Sequence, residues 1–348
     1  MNLQSEVLMF WRFPDRPGGL AGLPLTPTRV MGVLNVTPDS FSDGGRYAGV
    51  AQAVSAGVAM WRAGAAVIDV GGESTRPGAE RISAAEQIGR VVPVIERLRE
   101  LLDKQETGLT EPGSQAERDA PSTGPPAKPG AKAVTHPVMT PGVISGPGAL
   151  PGAGVISVDT TSAEVARAAL GAGASIVNDV SAGREDPSMF ALAAERGCPL
   201  VLMHMAGQPA DMQDDPRYAD VVAEVEAFLL ERVEIAERVG VARGQIAIDP
   251  GIGFGKTLAH NLALLRATSR LAGHGLPVVV GVSRKRMIPA VTGRGEPAGD
   301  RLGGSIAGAL VAAQQGAGLV RVHDVAATVQ ALAVDAAVRN PPAGPSTR

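Results

Sequence analysis

The segment Gln245-Ile-Ala-Ile-Asp-Pro-Gly-Ile-Gly-Phe-Gly-Lys256 contains an apolar β-like run, a carboxylate at its end and a glycine-rich loop, and a helix-like stretch follows it. Four other polar strings lie in the same way between an apolar run and a helix-like stretch. They are Asn35-Val-Thr-Pro-Asp-Ser-Phe-Ser-Asp-Gly-Gly45, Glu73-Ser-Thr-Arg-Pro-Gly78, Asp159-Thr160 and Ser283-Arg-Lys-Arg286. Polar residues that recur at strand ends, all in one chain direction, are typical of the mouth of a single parallel barrel.

Apolar, β-branched runs alternate with Ala/Leu/Glu/Arg-rich stretches along most of the chain. Taken as buried parallel strands and amphipathic helices, they form eight repeats. The predicted strands are 30–34, 66–70, 155–159, 175–179, 200–204, 245–249, 278–282 and 318–322. The predicted helices include 83–102, 218–239, 258–271, 301–315 and 325–339. This alternation favours an α/β fold of the (β/α)8 TIM-barrel type over a doubly wound sheet.

Three segments lie outside this pattern. Residues 1–29, with Trp11 and Phe13, are predicted to form an N-terminal hairpin that closes the bottom of the barrel. Residues 30–340 form the barrel, and within them 103–154, crowded with Pro, Gly, Ser and Thr, are predicted to be a flexible, disordered insertion between helix 2 and strand 3. Such a connection lies at the bottom face, so we expect it to have no catalytic role. Residues 341–348 are predicted to be a disordered tail.

Composition excludes several classes of function. The net charge of -3 offers no basic field for nucleic acid. No apolar run approaches the roughly 18 residues that a membrane span requires, so no membrane partner is expected. The single cysteine, Cys198, lies in an apolar run and is predicted to be a small buried hydrophobe, which is consistent with a reducing, cytoplasmic location.

Asp159, Asn178 and Asp249 each end a predicted strand, and with Lys285 they should converge on one pocket. A carboxylate can accept two N–H bonds from an amino-pyrimidinone edge while a lysine donates to its carbonyl oxygen, so this set suits a pterin or guanine-like ring. Taken singly, Asp159 could equally be a helix cap, and Asn178 could make an ordinary hydrogen bond at the strand end. The loop after Asp249 lacks the first glycine of a P-loop, since Pro250 stands there, and nucleotide hydrolysis is not supported.

The last predicted strand carries Arg321 and His323 on one face, a pair that suits an anionic leaving group. Asn35 supplies an oxygen of the type that Mg2+ accepts, which makes it the candidate metal ligand. His204 is interpreted first as a wall residue, and Lys256 as structural or solvated. Residues 37–47 and 73–80 have the composition of mobile lids. His136, His260 and His274 have no evident partners and are assigned no role.

The chain resembles the dihydropteroate synthases, the folate-pathway enzymes that sulfonamides target. The resemblance rests on 35–45, 69–78, 249–256, 283–285 and 321–324, and it covers most of 30–338 apart from the insertion. It implies a (β/α)8 barrel that joins 6-hydroxymethyl-7,8-dihydropterin diphosphate to 4-aminobenzoate, releases pyrophosphate and requires Mg2+. It also implies a homodimer through the last helices.

The resemblance further implies roles for individual residues. The implied pterin-binding residues are Asp159, Asn178, Asp249, Phe254, Lys285 and Arg321. The diphosphate and Mg2+ would be held by Asn35, Arg76, Arg321 and His323, with Asp43 also catalytic. The 4-aminobenzoate pocket would be shaped by Phe41, Thr75, Pro77 and Ser283.

The chain also departs from the family. Arg286 follows Lys285 where some members have a serine that meets the aminobenzoate carboxylate, so the anchor of that group is open. The insertion is larger than is usual in the family. Two alternatives remain at this point, a pterin-dependent methyltransferase, which would lack the two lid motifs, and a non-catalytic pterin-binding paralogue, which would have lost lid or diphosphate residues.

Overall fold

A computed structural model describes residues 10–13, 22–37, 45–73, 81–108, 154–207, 212, 216–295 and 297–340 of the chain. Eight parallel strands lie side by side in it. They are β3 Arg29–Asn35, β4 Val67–Gly71, β5 Val155–Asp159, β6 Ile176–Asp179, β7 Leu200–Met203, β8 Ile246–Asp249, β9 Val279–Val280 and β10 Leu319–Val322. Strand β10 pairs with both β9 and β3, and a parallel bridge between Ile248 and Val278 joins β8 to the start of β9 and closes the ring. The predicted (β/α)8 barrel is confirmed.

The floor of the barrel is closed by an N-terminal hairpin, as predicted. Its strands β1, Phe10–Arg12, and β2, Gly22–Pro24, pair antiparallel. Trp11, Phe13, Leu23 and Leu25 pack against one buried side chain from every barrel strand. These eight residues, the floor layer, are Met31, Val67, Val155, Ile176, Val201, Ala247, Val279 and Leu319. Gln245 fastens the hairpin, since it accepts from Arg12 N at 3.1 Å and donates to Arg12 O at 2.8 Å.

Side chains alternate between the two faces of a strand, so positions two and four residues beyond the floor layer also face the barrel interior. Two residues on, the middle layer consists of Val33, Asp69, Ser157, Asn178, Met203, Asp249, Gly281 and Arg321. Four residues on, the mouth layer consists of Asn35, Gly71, Asp159, Val180, Met205, Gly251, Ser283 and His323. The interior therefore changes from apolar at the floor to largely polar above it.

Helices pack outside the strands, and their apolar faces meet the outward strand residues in one continuous core. They are α1 Gly45–Arg62, α2 Ala84–Gly108, α3 Ala163–Gly171, α4 Ser188–Arg196, α5 Val221–Val239, α6 Leu258–Arg266, α7 Thr268–Ala272, α8 Met287–Thr292, α9 Leu302–Gln314 and α10 Val325–Arg339. None of the helices in these ranges is long and apolar enough to cross a membrane. Cys198 is buried and free, as expected from its apolar surroundings.

Two helix boundaries differ from the prediction. Residues 103–108, assigned above to the insertion, belong to α2, where an i,i+4 ion pair between Arg99 and Asp103 supports the helix, with 2.6 Å between Nη2 and Oδ1. The single helix predicted over 258–271 is two helices that meet at Ala267. The Thr268 hydroxyl donates to Leu265 O at 2.9 Å and so competes for a carbonyl of the helical ladder. Residues 109–153 and 341–348 lie outside the described ranges.

Candidate active site

Arg321 lies inside the barrel between two carboxylates. Its Nε donates to Oδ2 of Asp69 and its Nη2 donates to Oδ2 of Asp159, each at 2.7 Å. Burial disfavours the guanidinium charge, but attraction to Asp69 and Asp159 outweighs it and raises the pKa of Arg321. The three other N–H donors of Arg321 have no partner within the described ranges, so they can serve a ligand at the mouth.

Asn178 lies beside Arg321 in the middle layer and shares its acceptor. The Nδ2 of Asn178 donates to Oδ2 of Asp69 at 3.0 Å, which is the strand-end hydrogen bond that the sequence allowed. This bond leaves the amide oxygen of Asn178 as an acceptor for a ligand. Asp159 is not a helix cap, because Ser162 caps α3 through its hydroxyl.

The two carboxylates predicted to meet the ring are both deeply buried. Burial raises the pKa of Asp159, with the neighbouring charge of Arg321 acting in the opposite direction. Burial likewise raises the pKa of Asp249 to about 6, and the hydrogen bond from Gly251 N and the charge of Lys285 counteract part of that rise. Strongly perturbed carboxylates at the mouth of a barrel are the mark of a binding or catalytic site.

The loop after Asp249 depends on glycine at its second position. Gly251 N donates to Asp249 Oδ1 at 2.7 Å, and its φ of +66° lies in the left-handed region. A Cβ on Gly251 would lie 1.9 Å from His204 O, far inside contact distance. Only glycine therefore allows the chain to turn back over the carboxylate.

Lys285 lies above the ring of Phe254, with 4.0 Å between Nζ and the ring centroid. Burial and the charge of Arg321 lower the pKa of Lys285 to about 8, while Asp249 acts to raise it. This cation–π contact holds the ammonium beside the carboxylates without neutralising it through a salt bridge.

Lys256, which the sequence left as structural or solvated, is buried and not solvated. Its Nζ lies 2.9 Å from His204 Nδ1 and donates to Phe254 O at 2.9 Å. Burial lowers the pKa of Lys256 to about 7 and that of His204 to about 3. His204 also packs edge-on against Phe228, with 4.9 Å between ring centroids, so the interpretation of His204 as a wall residue is confirmed.

Ser283 and His323 are joined across the mouth. Ser283 Oγ accepts from His323 N at 3.2 Å and lies 3.1 Å from His323 Nδ1. Burial, together with the nearby charges of Arg284 and Arg321, lowers the pKa of His323 to about 4. His323 is therefore neutral at pH 7 and offers a hydrogen-bonding ring at the mouth, not a positive charge.

A second link between the same two loops was missed by the sequence analysis. Arg284 makes two hydrogen bonds to Asp324, at 3.0 Å from Nε and 2.6 Å from Nη2. The backbone of Arg284 has φ of +58°, and its N–H donates to Ser305 Oγ at 2.9 Å. The carbonyl of Arg284 accepts from Arg301 at 2.9 Å. These contacts fix Arg284 between two residues that the family resemblance assigns to the site, Ser283 and Lys285.

One wall of the mouth is apolar. It consists of Val180, Met203, Met205 and Met212, with Phe254 packed against them. Methionines adapt to flat surfaces because their side chains are unbranched and polarizable. With carboxylates, an amide and an ammonium beside this wall, the pocket suits a flat, polar, amino-bearing ring.

Asn35 lies at the end of β3, near the carboxylate of Asp159. Both Asn35 Oδ1 and Asp159 Oδ2 lie within 4 Å of the point where a Cβ on Gly71 would stand, at 3.7 and 3.8 Å. Within the described ranges no group of three or more His, Cys, Asp or Glu residues could hold a metal ion. An amide oxygen with one carboxylate beside it suits a cation that keeps most of its water and takes its other ligands from a substrate.

The structure brings together most of the predicted site residues in its two upper layers. It places in the middle and mouth layers, or in the loops that follow them, Asn35, Asp159, Asn178, Asp249, Phe254, Ser283, Lys285, Arg321 and His323. Five further predicted residues, Phe41, Asp43, Thr75, Arg76 and Pro77, lie outside the described ranges.

Asp69 is the buried site residue that the sequence analysis missed. It begins the motif 69–78 that carries the family resemblance, but its role becomes visible only from its place two residues after the floor residue Val67.

Two histidines said to lack partners have them, although neither belongs to the site. His260 completes the cap of α6 with Thr257, and His274 Nε2 lies 2.7 Å from Glu226 Oε1 on the outer surface. Both contacts are structural: one caps a helix, and the other joins a helix to the loop that follows α7. The expectation that they have no role in the chemistry at the mouth stays a prediction.

Comparison with known proteins gives consistent matches. Residues 31–106 and 143–323 match the family model of a pterin binding enzyme. The dihydropteroate synthase of Mycobacterium leprae is 42% identical over 317 residues, which cover 90% of this chain and 94% of that protein. A structure titled Xanthomonas albilineans dihydropteroate synthase with 4-aminobenzoic acid is 41% identical with a TM-score of 0.75, and the match covers 96% of this chain and 100% of that one. A second structure of that enzyme, in complex with 7,8-dihydropteroate, is 39% identical with a TM-score of 0.72 and the same coverage.

Proposed function

We infer the reaction at the barrel mouth from the family to which the chain belongs, the dihydropteroate synthases among the pterin-binding enzymes. The chain is an enzyme, a transferase that joins 6-hydroxymethyl-7,8-dihydropterin diphosphate to 4-aminobenzoate. The bond between the pterin methylene carbon and the diphosphate oxygen breaks, and its electron pair leaves with pyrophosphate. The aniline nitrogen forms the new bond to that carbon and loses a proton, which gives 7,8-dihydropteroate.

The observation that carries the assignment of the pterin site is the pair of buried carboxylates in the barrel that also holds the apolar wall. Asp159 and Asp249 lie in the upper layers of the barrel with Asn178, while Phe254 supports Lys285. We propose that the carboxylates accept from the amino edge of the ring and that Lys285 donates to its carbonyl oxygen. The methionine wall and Phe254 would cover one face of the ring.

Arg321 and His323 are proposed to receive the diphosphate. Arg321 keeps N–H donors unused by the described residues, and neutral His323 can donate a hydrogen bond without repelling the guanidinium. Both stabilise the charge that develops on the leaving oxygen. Arg76 and Asp43 would complete this part of the site from the two loops.

We propose that Asn35 is a ligand of Mg2+. The described donor set, the amide oxygen of Asn35 with one carboxylate oxygen of Asp159 beside it, suits a hydrated cation of this kind. When bound together with the diphosphate, Mg2+ would supply positive charge that neutralises the leaving group.

The 4-aminobenzoate pocket is proposed to form from Ser283 together with Phe41, Thr75 and Pro77. Arg286 immediately precedes α8 and is exposed, so its guanidinium can reach solvent at the mouth and meet the aminobenzoate carboxylate.

A homodimer in the cytoplasm is proposed for the assembled enzyme. Leu302, Val311, Val334 and Val338 on the last two helices are exposed apolar side chains, which supports an interface there. Sedimentation of the purified protein tests this point, and a monomer at micromolar concentration would contradict it.

The reaction is tested by incubating purified protein with the pterin diphosphate, 4-aminobenzoate and Mg2+ while dihydropteroate and pyrophosphate are followed separately. Equal amounts of both products, dependent on all three additions, are expected. Pyrophosphate without dihydropteroate, with or without 4-aminobenzoate, would contradict the proposed transfer.

A further inference from the structure

Asp69 is a wholly buried carboxylate in the middle of β4. The residues beside it in the sequence, Ile68 and Val70, belong to the apolar core outside the barrel. Asp69 itself stands two residues beyond the floor layer and therefore faces the interior. A buried carboxylate is costly unless charged or polar partners compensate it, so the identity of its partners is informative.

A single oxygen of Asp69 serves two ligand-facing groups. Its Oδ2 accepts from Arg321 Nε at 2.7 Å and from Asn178 Nδ2 at 3.0 Å. The other oxygen, Oδ1, has no hydrogen bond within the described ranges. Asp69 therefore does not cap a helix or close a turn of its own, and its hydrogen bonds go only to side chains that line the mouth.

A second buried carboxylate, at the end of β6, has a different arrangement. Asp179 accepts from Ser181 N at 2.8 Å, from Ser181 Oγ at 2.7 Å and from Gly183 N at 2.7 Å, all in the turn that follows its own strand. Its contacts are local and explain it as a turn-forming residue. The contacts of Asp69 span three strands of the barrel, which a local structural role does not explain.

We propose that Asp69 is a positioning residue for the proposed synthase reaction, on which this inference rests. It holds the guanidinium of Arg321 in place for the diphosphate, and it turns Asn178 so that the amide oxygen faces the pterin ring. Asp69 touches neither substrate. It acts through two residues that do, because one oxygen fixes both of them in one geometry.

The test uses two substitutions at Asp69 and one matched control. Asp69→Ala removes both the charge and the shared acceptor, whereas Asp69→Asn keeps an oxygen that can accept but removes the charge. Ser157→Ala is the control, since Ser157 lies in the same layer, is paired with Asp69 in register on β5, is equally buried, and has a hydroxyl without a partner in the described structure.

Steady-state kinetics and calorimetry with inorganic pyrophosphate and with 6-hydroxymethylpterin are the measurements. We expect kcat/KM for the pterin diphosphate to fall about 100-fold in Asp69→Ala and about tenfold in Asp69→Asn, in line with losing one or two charge-assisted hydrogen bonds. Affinity for pyrophosphate should fall in the same order. The KM for 4-aminobenzoate and all constants of Ser157→Ala should stay at wild-type values.

Wild-type kcat/KM and pyrophosphate affinity in folded Asp69→Asn and Asp69→Ala would overturn the proposal. Equal losses for both substrates would also overturn it, since they would indicate general distortion. If Asp69→Ala does not fold, Asp69→Asn, which has the same shape, decides alone. If wild-type protein makes no dihydropteroate, the proposed function fails, while the two calorimetric titrations still test the role of Asp69.

Discussion

The floor and the mouth of this barrel are built on the same eight strands, yet their chemistry is opposite. At the floor, every strand contributes an apolar side chain and the hairpin seals the end with Trp11 and its neighbours. A few residues along the same strands, the interior holds Asp69, Asp159, Asp249 and Arg321. All of these except Arg321 are buried, so burial alone does not distinguish the two ends.

The floor and the mouth differ in the effect that burial has on their side chains. Apolar burial at the floor contributes stability without specifying any ligand. Burial at the mouth shifts the protonation of carboxylates and leaves donors and acceptors unsatisfied until a ligand arrives. The fold thus separates stability from function along one axis, and substitutions at the two ends should have separable effects.

The floor should show the largest effect on stability. We expect Trp11→Ala to lower the free energy of unfolding by about 3–5 kcal/mol, because it opens a cavity in the wholly buried floor. Urea denaturation measures the loss, and kcat/KM per folded molecule should not change. Trp11→Phe is the matched control, with a much smaller loss, since the indole N–H has no partner in the described structure. A fall in kcat/KM of folded Trp11→Ala would show that the floor also contributes to activity.

The mouth should show the opposite pattern. Asp249→Ala is expected to weaken pterin binding by about 2–5 kcal/mol, a loss of about 30-fold or more, because the ring loses a buried charged acceptor. Its unfolding free energy should change by only about 1 kcal/mol, since the substitution breaks one hydrogen bond, from Gly251, but also removes a buried charge. Calorimetry with 6-hydroxymethylpterin and urea denaturation measure the two quantities. Wild-type pterin affinity would refute the assignment of the pocket.

The link between Arg284 and Asp324 should matter for activity more than for stability. Arg284→Ala is expected to lower kcat/KM about tenfold, because the loops that carry Ser283, Lys285 and His323 lose their shared tie. Adding Asp324→Ala should cost little more in the double variant. Arg339→Ala, which breaks an Arg–Asp pair on the outer helix α10, is the control and should be neutral. If the losses of kcat/KM in Arg284→Ala and Asp324→Ala add up in the double variant, the two residues do not act through their shared ion pair.

The pH dependence of pterin binding should show the burial of the carboxylates directly. The pKa of Asp249 is raised to about 6 and that of Asp159 is raised as well. Lowering the pH from 8 to 5 protonates both carboxylates, and each then loses an acceptor for the ring. Affinity should fall with decreasing pH, by up to tenfold per pH unit for each protonated group. The decrease in pterin affinity near pH 6 should be absent in Asp249→Asn. A wild-type affinity that does not change with pH would contradict these assignments.

The smallest effect is expected from replacing residues 109–153, which lie outside the described ranges. The described ends of this segment lie next to α2 and to Val155 of the floor layer, and the family match omits 107–142. Replacing 109–153 by a short Gly/Ser linker should leave kcat/KM within about twofold of wild type and the free energy of unfolding within about 1 kcal/mol of it. A collapse of activity in the folded protein would place the segment functionally at the mouth.

The sequence predicted much of this site because its chemistry stands where strands end. Asp159, Asn178 and Asp249 could be placed from the apolar runs that precede them, and Arg321 and His323 from their alternate spacing. Asp69 begins the motif 69–78, but no role could be assigned to a carboxylate inside an apolar run until the floor layer showed which face of the strand it lies on. The tie between Arg284 and Asp324 joins residues 40 positions apart, and only the closed barrel brings them together.

The hairpin that seals the floor also has a consequence for synthesis. Trp11 is synthesised long before Leu319 of β10, which belongs to the surface that it packs against. At about 5–20 residues per second, this partner arrives roughly 15–60 s later. During that time the floor that Trp11 packs against is incomplete. The packing of the hairpin is therefore completed only after β10 has been made, and a nascent chain stalled before β10 should still expose Trp11 to chaperones and proteases.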